Sequence, residues 1–522
     1  MKLGRPARIL LAICSGFSMA FAFPNYNLPW LGWICLFFLI VISIDERPRI
    51  AAFYGWVSGF IFYPASLPWI YEVMRQYGNL TVLQAAGVLG LMAVAGGFFP
   101  AAFAWCIARF ARESAGRACF FAPFFWVVLE FIRTHLPIIG FPWNLLGYAA
   151  SSSLALLQIV PATGIYGLTF LVAGFNALLA WGVVAAGKRA RVAAVVAIVL
   201  LVFTLAVGAK LVPIAEAHHV AHLVQTDFPP QSQQYPADWL QTHAADLDEL
   251  ELLSVSAARR EPGLIVWPEV PAPFTLQDPN FSARAQRIAQ EAGTDFLLGV
   301  VDWRRRPGGQ FQATNSAVLL GPAGQRLFTY DKIHLVPYGE YVPLRKWITF
   351  AGRLTADISD FTPGTSYRAG SLPAGSFGVF ICYEAIFPDE IRRFERAGAE
   401  LLINISNDGW FGRSAAPAQH LMMARVRAVE LRRWMLRDTN NGFTVSEDPY
   451  GRIVAEMRTD VRGELDAPYD FRTDSTIYAR FGDWLAWLSL AVSAGMLLEL
   501  FLVGARQARV SESSSKSGKI RT

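Results

Sequence analysis

Residues 192–209, VAAVVAIVLLVFTLAVGA, run without a single charged side chain. A helix of ~20 apolar residues crosses a ~30 Å hydrocarbon core, and a run of this length is too long for a core strand. Further apolar stretches near 9–24, 28–44, 51–70, 82–108, 118–133, 164–187 and 484–504 bring the candidate spans to eight, the first two forming a tight hairpin around Pro24 and Pro29. Most Asp and Glu residues fall between about 213 and 480. With a mean hydropathy of +0.33 and 17% charged residues over 522 positions, the chain is too apolar to be wholly soluble. The expected division is a transmembrane domain at 1–212 with seven helices, a polar domain at 213–480, a final transmembrane helix at 481–505 and a basic tail at 506–522.

Short loops that retain Lys and Arg mark the cytoplasmic side of a membrane protein. Here they alternate: Lys2, Arg5 and Arg8; Arg47 and Arg49; Arg109, Arg112 and Arg117; Lys188, Arg189 and Arg191; then Arg506, Arg509, Lys516, Lys519 and Arg521. The intervening loops hold little beyond Arg75 and the segment near Arg133, so both termini are expected inside and the polar domain outside the cytoplasm. Residues 1–22 also fit a cleaved signal peptide, with a basic start, an apolar run and the small residues of SMAFAF, but its removal would disturb this alternation. The net charge of +5 lies in clusters beside apolar spans with no interleaved aromatics, which argues against nucleic acid. Cys14, Cys35, Cys106 and Cys119 lie in or beside apolar spans, leaving Cys382 alone in the polar region. No disulfide framework can form there, and the lack of CxxC or HExxH spacing gives no reason to expect a metal.

Within the polar region, β-rich runs at 220–225, 264–267, 296–301, 316–321, 377–381 and 401–406 alternate with amphipathic helices at 237–258, 282–292, 388–398 and 417–433. This predicts an α/β sandwich with helices on both outer faces. Glu269 follows LIVWP, Lys332 follows RLFTYD and Cys382 follows FGVFI, all at carboxyl ends of predicted strands, where α/β folds place their chemistry. Singly, they read as an exposed carboxylate, a surface lysine and a buried thiol. Together they form a mechanism: the ammonium lowers the thiol pKa and later faces an oxyanion, while the carboxylate takes and returns the thiol proton.

The segments WPE (267–269), YDKIHLVPYGEYVP (330–343), ICYEAIFPD (381–389) and NISNDGWFG (404–412) resemble the Glu, Lys, Cys signature of the nitrilase superfamily. The membrane spans, with GFPWNLLGY (140–148), GIYGLTFLVAGFN (164–176) and TNNGFT (439–444), narrow the resemblance to the apolipoprotein N-acyltransferase family. It implies a polytopic α-helical membrane domain carrying a nitrilase-like αββα sandwich in a bacterial inner membrane, with the sandwich on the periplasmic side. It further implies Cys382 as nucleophile, Glu269 as general base and acid, Lys332 as oxyanion partner and Glu340 as a second glutamate orienting them. Tyr383 and Glu384 match supporting positions, and Asn315 and Tyr235 match substrate-binding ones. Trp239 competes with Tyr235 for the lipid-sensing aromatic, while Trp410 and Phe411 either line the acyl path or pack the core. The implied reaction moves an acyl chain from a phospholipid to the α-amino group of a diacylglyceryl cysteine, through a thioester and without metal or organic cofactor, in a monomer. A membrane-tethered amidase with water as acceptor is the alternative. A transporter would need an ordered line of intramembrane charges; only Glu130 and Arg133 stand out, and they read as a structural pair.

Overall fold

The computed structural model describes residues 3–137, 140–185, 187–230, 236–305, 309, 311–341 and 361–518, with side chains described up to 502. Five described helices are long and apolar enough to cross a membrane: Val82–Ala111, Ala115–His135, Ile165–Val184, Lys188–Leu211 and Trp484–Leu502. Pro48–Ser66 and Pro68–Gln76, bent by 50°, make a sixth if they count as one broken span. The spans expected at 9–24 and 28–44 fall on shorter helices, Arg5–Phe21 with 17 residues and Cys35–Ile44 with 10. At ~1.5 Å per residue neither matches a ~30 Å core unaided. Along Lys188–Leu211, Val192, Val195, Val199, Leu200 and Phe203 are all exposed, as an apolar helix facing lipid requires.

Close approach of backbones packs the bundle. A Cβ placed on Gly55 would lie 2.2 Å from the Pro100 carbonyl oxygen. Dispersion at such contacts replaces the hydrophobic drive that lipid does not provide.

Between the last two long helices stands the sandwich. Its first sheet has the order β12-β1-β2-β3-β4-β5, from β1 (His219–Gln225), β2 (Leu264–Val266), β3 (Phe296–Arg305), β4 (Phe311–Leu320), β5 (Arg326–Asp331) and β12 (Gly463–Tyr469). The second runs β11-β10-β9-β8-β7-β6, from β6 (Ala369–Leu372), β7 (Gly375–Ile381), β8 (Leu401–Ser406), β9 (Trp434–Thr439), β10 (Val445–Glu447) and β11 (Ile453–Glu456). In each sheet three consecutive inner strands are parallel, β1-β2-β3 and β7-β8-β9, and the remaining pairings are antiparallel. Period-two alternation sorts the side chains. Val266, Leu297 and Leu319 join Val379, Ile403 and Leu436 in the core between the sheets. Their neighbours Ile265, Leu298 and Leu320 point outward onto Leu250, Val255, Phe281 and Ile288 of helices Ala244–Arg260 and Pro279–Ala292. The helix expected at 237–258 is broken at His243 into Trp239–Thr242 and Ala244–Arg260.

Gln419, at the start of helix Ala416–Leu431, bolts the sandwich to the bundle. Its Oε1 accepts from the indole nitrogens of Trp69 (3.2 Å) and Trp143 (2.6 Å), and its Nε2 donates to the carbonyls of Ser66 (3.0 Å) and Pro24. A second junction is Glu430, whose Oε1 accepts the N–H of Ile165 (2.8 Å) at a membrane-helix start. The sandwich therefore meets the helix ends remote from the basic clusters. Arg117, at the opposite end of helix Ala115–His135, pairs with Glu113 and Glu499.

Gly55→Val should lower the unfolding midpoint in detergent by the equivalent of about 1–3 kcal/mol, the usual cost of overpacking a tight contact; an unchanged midpoint would mean the Pro100 contact is loose.

Candidate active site

Three strand ends converge. Lys332 directly follows β5, Cys382 directly follows β7, and Glu269 lies three residues beyond β2. Lys332 is 1% exposed, and its Nζ donates to Oε1 of Glu269 (2.9 Å) and Oε1 of Glu340 (3.0 Å). Asn315 Nδ2 donates to the same two oxygens, at 2.7 Å each. The other carboxylate oxygens accept backbone N–H groups, Glu269 Oε2 from Asn407 (2.9 Å) and Glu340 Oε2 from Val336 (2.8 Å). An ammonium has three protons, so one remains after the two carboxylates are served. Each carboxylate likewise keeps one lone pair of about four.

Burial alone would lower the Lys332 pKa, but Glu269, Glu340 and Cys382 reverse this and hold it well above its ordinary value, so the side chain stays an ammonium. Cys382 moves the other way from the sequence expectation. Burial, with Glu269 adding, pushes the thiol up further than Lys332 brings it down. The resting sulfur is therefore a thiol, and a base must take its proton.

The backbone at Cys382 is left-handed, φ +48°, and a short 3₁₀ turn, Cys382–Ile386, begins there. Its first N–H groups have no partner inside the turn, as at any helix start. On the facing side, Gly299 in β3 lets the Glu269 turn pass close. A Cβ there would sit 2.4 Å from the Pro268 carbonyl oxygen and 2.7 Å from Glu269 Cα.

Among the described residues, no hydrogen bond joins Glu384 or Tyr383 to the carboxylate–ammonium cluster. Glu384 Oε1 accepts from Tyr330 Oη (2.7 Å) and from the N–H groups of Ile333 (2.7 Å) and His334 (3.2 Å), while Oε2 accepts from Ile381 N (2.7 Å). It thus ties the chain carrying Lys332 to the strand carrying Cys382. Burial and Glu390 raise its pKa to about 7 against these bonds. Tyr383 packs on His334 and Phe387. Tyr235 lies outside the described residues, whereas Trp239 is buried, stacked on His243 and edge-on to Phe228 and Phe274 in the outer core. Phe411 packs against Trp69, Trp143 and His420, and the half-exposed Trp410 against Tyr77. Glu130 and Arg133 are not an ion pair among the described residues. Glu130 accepts from Trp126, Leu146 N and Thr169, and Arg133 donates to Tyr63 Oη.

Sequence reasoning missed Asn407, Asp408, His420 and Arg437. Asn407 and Asp408 lie inside the NISNDGWFG segment and were within reach; a single histidine in an amphipathic helix carries no signal of its own. Asp408 accepts from Ser406 and Arg437 and, although burial opposes it, Arg437 and His420 hold its carboxyl far below the usual range. His222, Glu464 and Asp466 cluster within 4.8 Å, but Arg260 already donates to both carboxylates and fills the place of a cation.

The profile described as the apolipoprotein N-acyltransferase N-terminal domain matches residues 15–178, and that described as carbon-nitrogen hydrolase matches 230–473. A protein named apolipoprotein N-acyltransferase from Geobacter metallireducens is 36% identical over 496 residues, covering 93% of this chain and 94% of that protein. One of the same name from Methylococcus capsulatus is 32% identical, covering 92% and 93%. This chain belongs to the apolipoprotein N-acyltransferase family. The two profile matches divide as the structure does, one on the helical bundle and the other on the sandwich. A solved amidase from Nesterenkonia is 20% identical over 51% of this chain and 94% of that one, with a TM-score of 0.37, so the nitrilase-like sandwich is read from its own two sheets and the hydrolase profile. The family makes the chain an acyltransferase of the carbon-nitrogen hydrolase superfamily.

Two substitutions probe the backbone of the site. Cys382→Gly should be about 1 kcal/mol more stable than Cys382→Ala, because only glycine enters the left-handed region without cost; equal melting would show no strain there. Gly299→Ala should cut acyl transfer per folded enzyme by about 10- to 100-fold by displacing Glu269, measured as product formed at saturating substrate, and full activity would show that the turn has slack.

Proposed function

We propose that this protein transfers a fatty acyl chain from a membrane phospholipid to the α-amino group of the N-terminal diacylglyceryl cysteine of an apolipoprotein, with Cys382 as nucleophile. The observation that carries the reading is the cluster of Lys332, Glu269 and Glu340 at the strand ends beside Cys382, in a sandwich seated on membrane helices. Of the two carboxylates on Lys332, Glu269 is the one whose charge acts on the sulfur, and it keeps a free lone pair; Asp408 also acts on the sulfur but is tied to Arg437 and Ser406. Glu269 removes the thiol proton as sulfur attacks the ester carbonyl. The third N–H of Lys332 and the backbone N–H groups after Cys382 receive the oxyanion. The ester C–O bond breaks, Glu269 protonates the departing lysophospholipid and a thioester remains on Cys382. The amine then attacks, Glu269 takes its proton, the C–S bond breaks and the thiol is restored. No metal or organic cofactor enters the sequence.

The bundle has a physical role in this scheme. Both substrates are held in lipid at ~0.8 kcal/mol per buried CH₂, so the site must come to them. We place the protein in the bacterial inner membrane as a monomer, with its sandwich on the periplasmic side, remote from the basic loops.

Mass spectrometry of purified protein incubated with phospholipid tests the scheme. An acyl mass is expected on the Cys382 peptide, absent from Cys382→Ser and cleared by a lipopeptide with a free amine. An unmodified peptide under turnover would reject the thioester; clearance by water with release of fatty acid would instead favour a hydrolase.

A further inference from the structure

His420 is fully buried beside Gln419 and takes no part in the proton transfers above. Its Nε2 lies 3.0 Å from the Cys382 carbonyl oxygen, so Nε2 carries the proton and donates. Nδ1 faces two groups, Asp408 Oδ1 at 3.2 Å and Arg437 Nη2 at 3.1 Å; in the neutral ring it accepts from Arg437, whose Nη2 also donates to that carboxylate. Burial and Arg437 lower the His420 pKa against the pull of Asp408 and the Cys382 carbonyl, in keeping with a neutral ring that donates from Nε2. Arg437 is in turn anchored on Asp408 (2.8 Å) and Asn404.

The bonded carbonyl belongs to the peptide that joins Cys382 to Tyr383. A trans peptide is planar, with its C=O and N–H on opposite sides. Holding the Cys382 oxygen therefore sets the direction of the Tyr383 N–H, one of the groups that faces the reacting carbonyl. The left-handed Cys382 would otherwise be free to relax. From the bundle, Trp143 lies nearly parallel over the His420 ring, centroids 5.9 Å apart at 26°, and Phe411 meets it edge-on. Trp143 itself is held by Gln419.

We propose that His420 is a positioning residue that fixes the 382–383 peptide plane, and that Trp143 of the membrane domain holds His420 in place, so that the nucleophile is aligned only when sandwich and bundle are seated together. The inference rests on the assignment of Cys382 as nucleophile.

The test is the rate of acyl-mass appearance on Cys382, in full-length protein with phospholipid vesicles. At saturating lipid, His420→Ala should acylate about 10- to 100-fold more slowly. His420→Gln, which keeps an N–H donor, should recover most of the rate. Trp143→Phe, which keeps a ring but loses the bond to Gln419, should show an intermediate loss, and the KM for lipid should stay within about twofold throughout. A purely packing role would instead lower the folded fraction and leave the rate per folded enzyme unchanged; that result, or His420→Gln as slow as His420→Ala, overturns the inference. Should His420→Ala not fold, Trp143→Phe decides alone, and a wild-type rate overturns it. Wild-type protein that never gains the acyl mass would sink the nucleophile assignment itself, which keeps the two failures apart.

Discussion

An ammonium buried out of water is tolerable only if carboxylates meet it, and at Lys332 two do. Removing one partner of such a buried group typically costs about 3–5 kcal/mol, so the cluster must be assembled whole or not at all. Two carboxylates around one cation leave an excess negative charge, which the amide of Asn315 and the N–H groups of Val336 and Asn407 disperse. Burial first, and that excess second, keep the proton on the nearby sulfur. On the proposed mechanism the site holds base and electrophile in a fixed arrangement around a neutral thiol, rather than storing a thiolate that would react with anything arriving.

Much of this was legible in the chain. Apolar runs ending in Glu269, Lys332 and Cys382 announced the strand ends, and the structure brings their neighbourhoods together. The strand β9 was not legible, because Arg437 and Asp438 read as a solvent face although both are buried. β10 and β11 are short, and β12, though as long as β1, carries Glu464, Asp466 and Pro468, so none shows a clean apolar run. Spacing misled at Glu130 and Arg133, three apart on a helix, since Glu130 instead takes one donor from its own helix, Trp126, and two from other elements, Leu146 and Thr169. Residues that act by bonding to main chain, such as His420 and Glu384, leave no periodicity behind. Their function lies in which backbone group they meet, which only the folded chain determines.

The membrane helices supply more than an anchor. Trp69 and Trp143 reach from the sandwich-facing ends of the bundle into the sandwich, and the aromatic packing continues through Phe411 to the His420 ring bonded to the Cys382 carbonyl. Close-packed interiors transmit displacement because they have little free volume to absorb it. A shift of the bundle would therefore be felt at the sulfur.

Glu430 has a consequence for how the protein is made. Its carboxylate meets the backbone N–H at the start of helix Ile165–Val184, where the positive end of the helix dipole lies, and Arg427 on the next turn donates to the same oxygen (3.2 Å). Synthesis proceeds from the N-terminus, so that helix end emerges long before the residue that will complete it, and the final helix at Trp484 follows later still. The early bundle is thus an unfinished object on the ribosome. In the proposed periplasmic orientation, its last stitches come from a domain that must first be exported and folded, which makes translocation itself a step in membrane assembly.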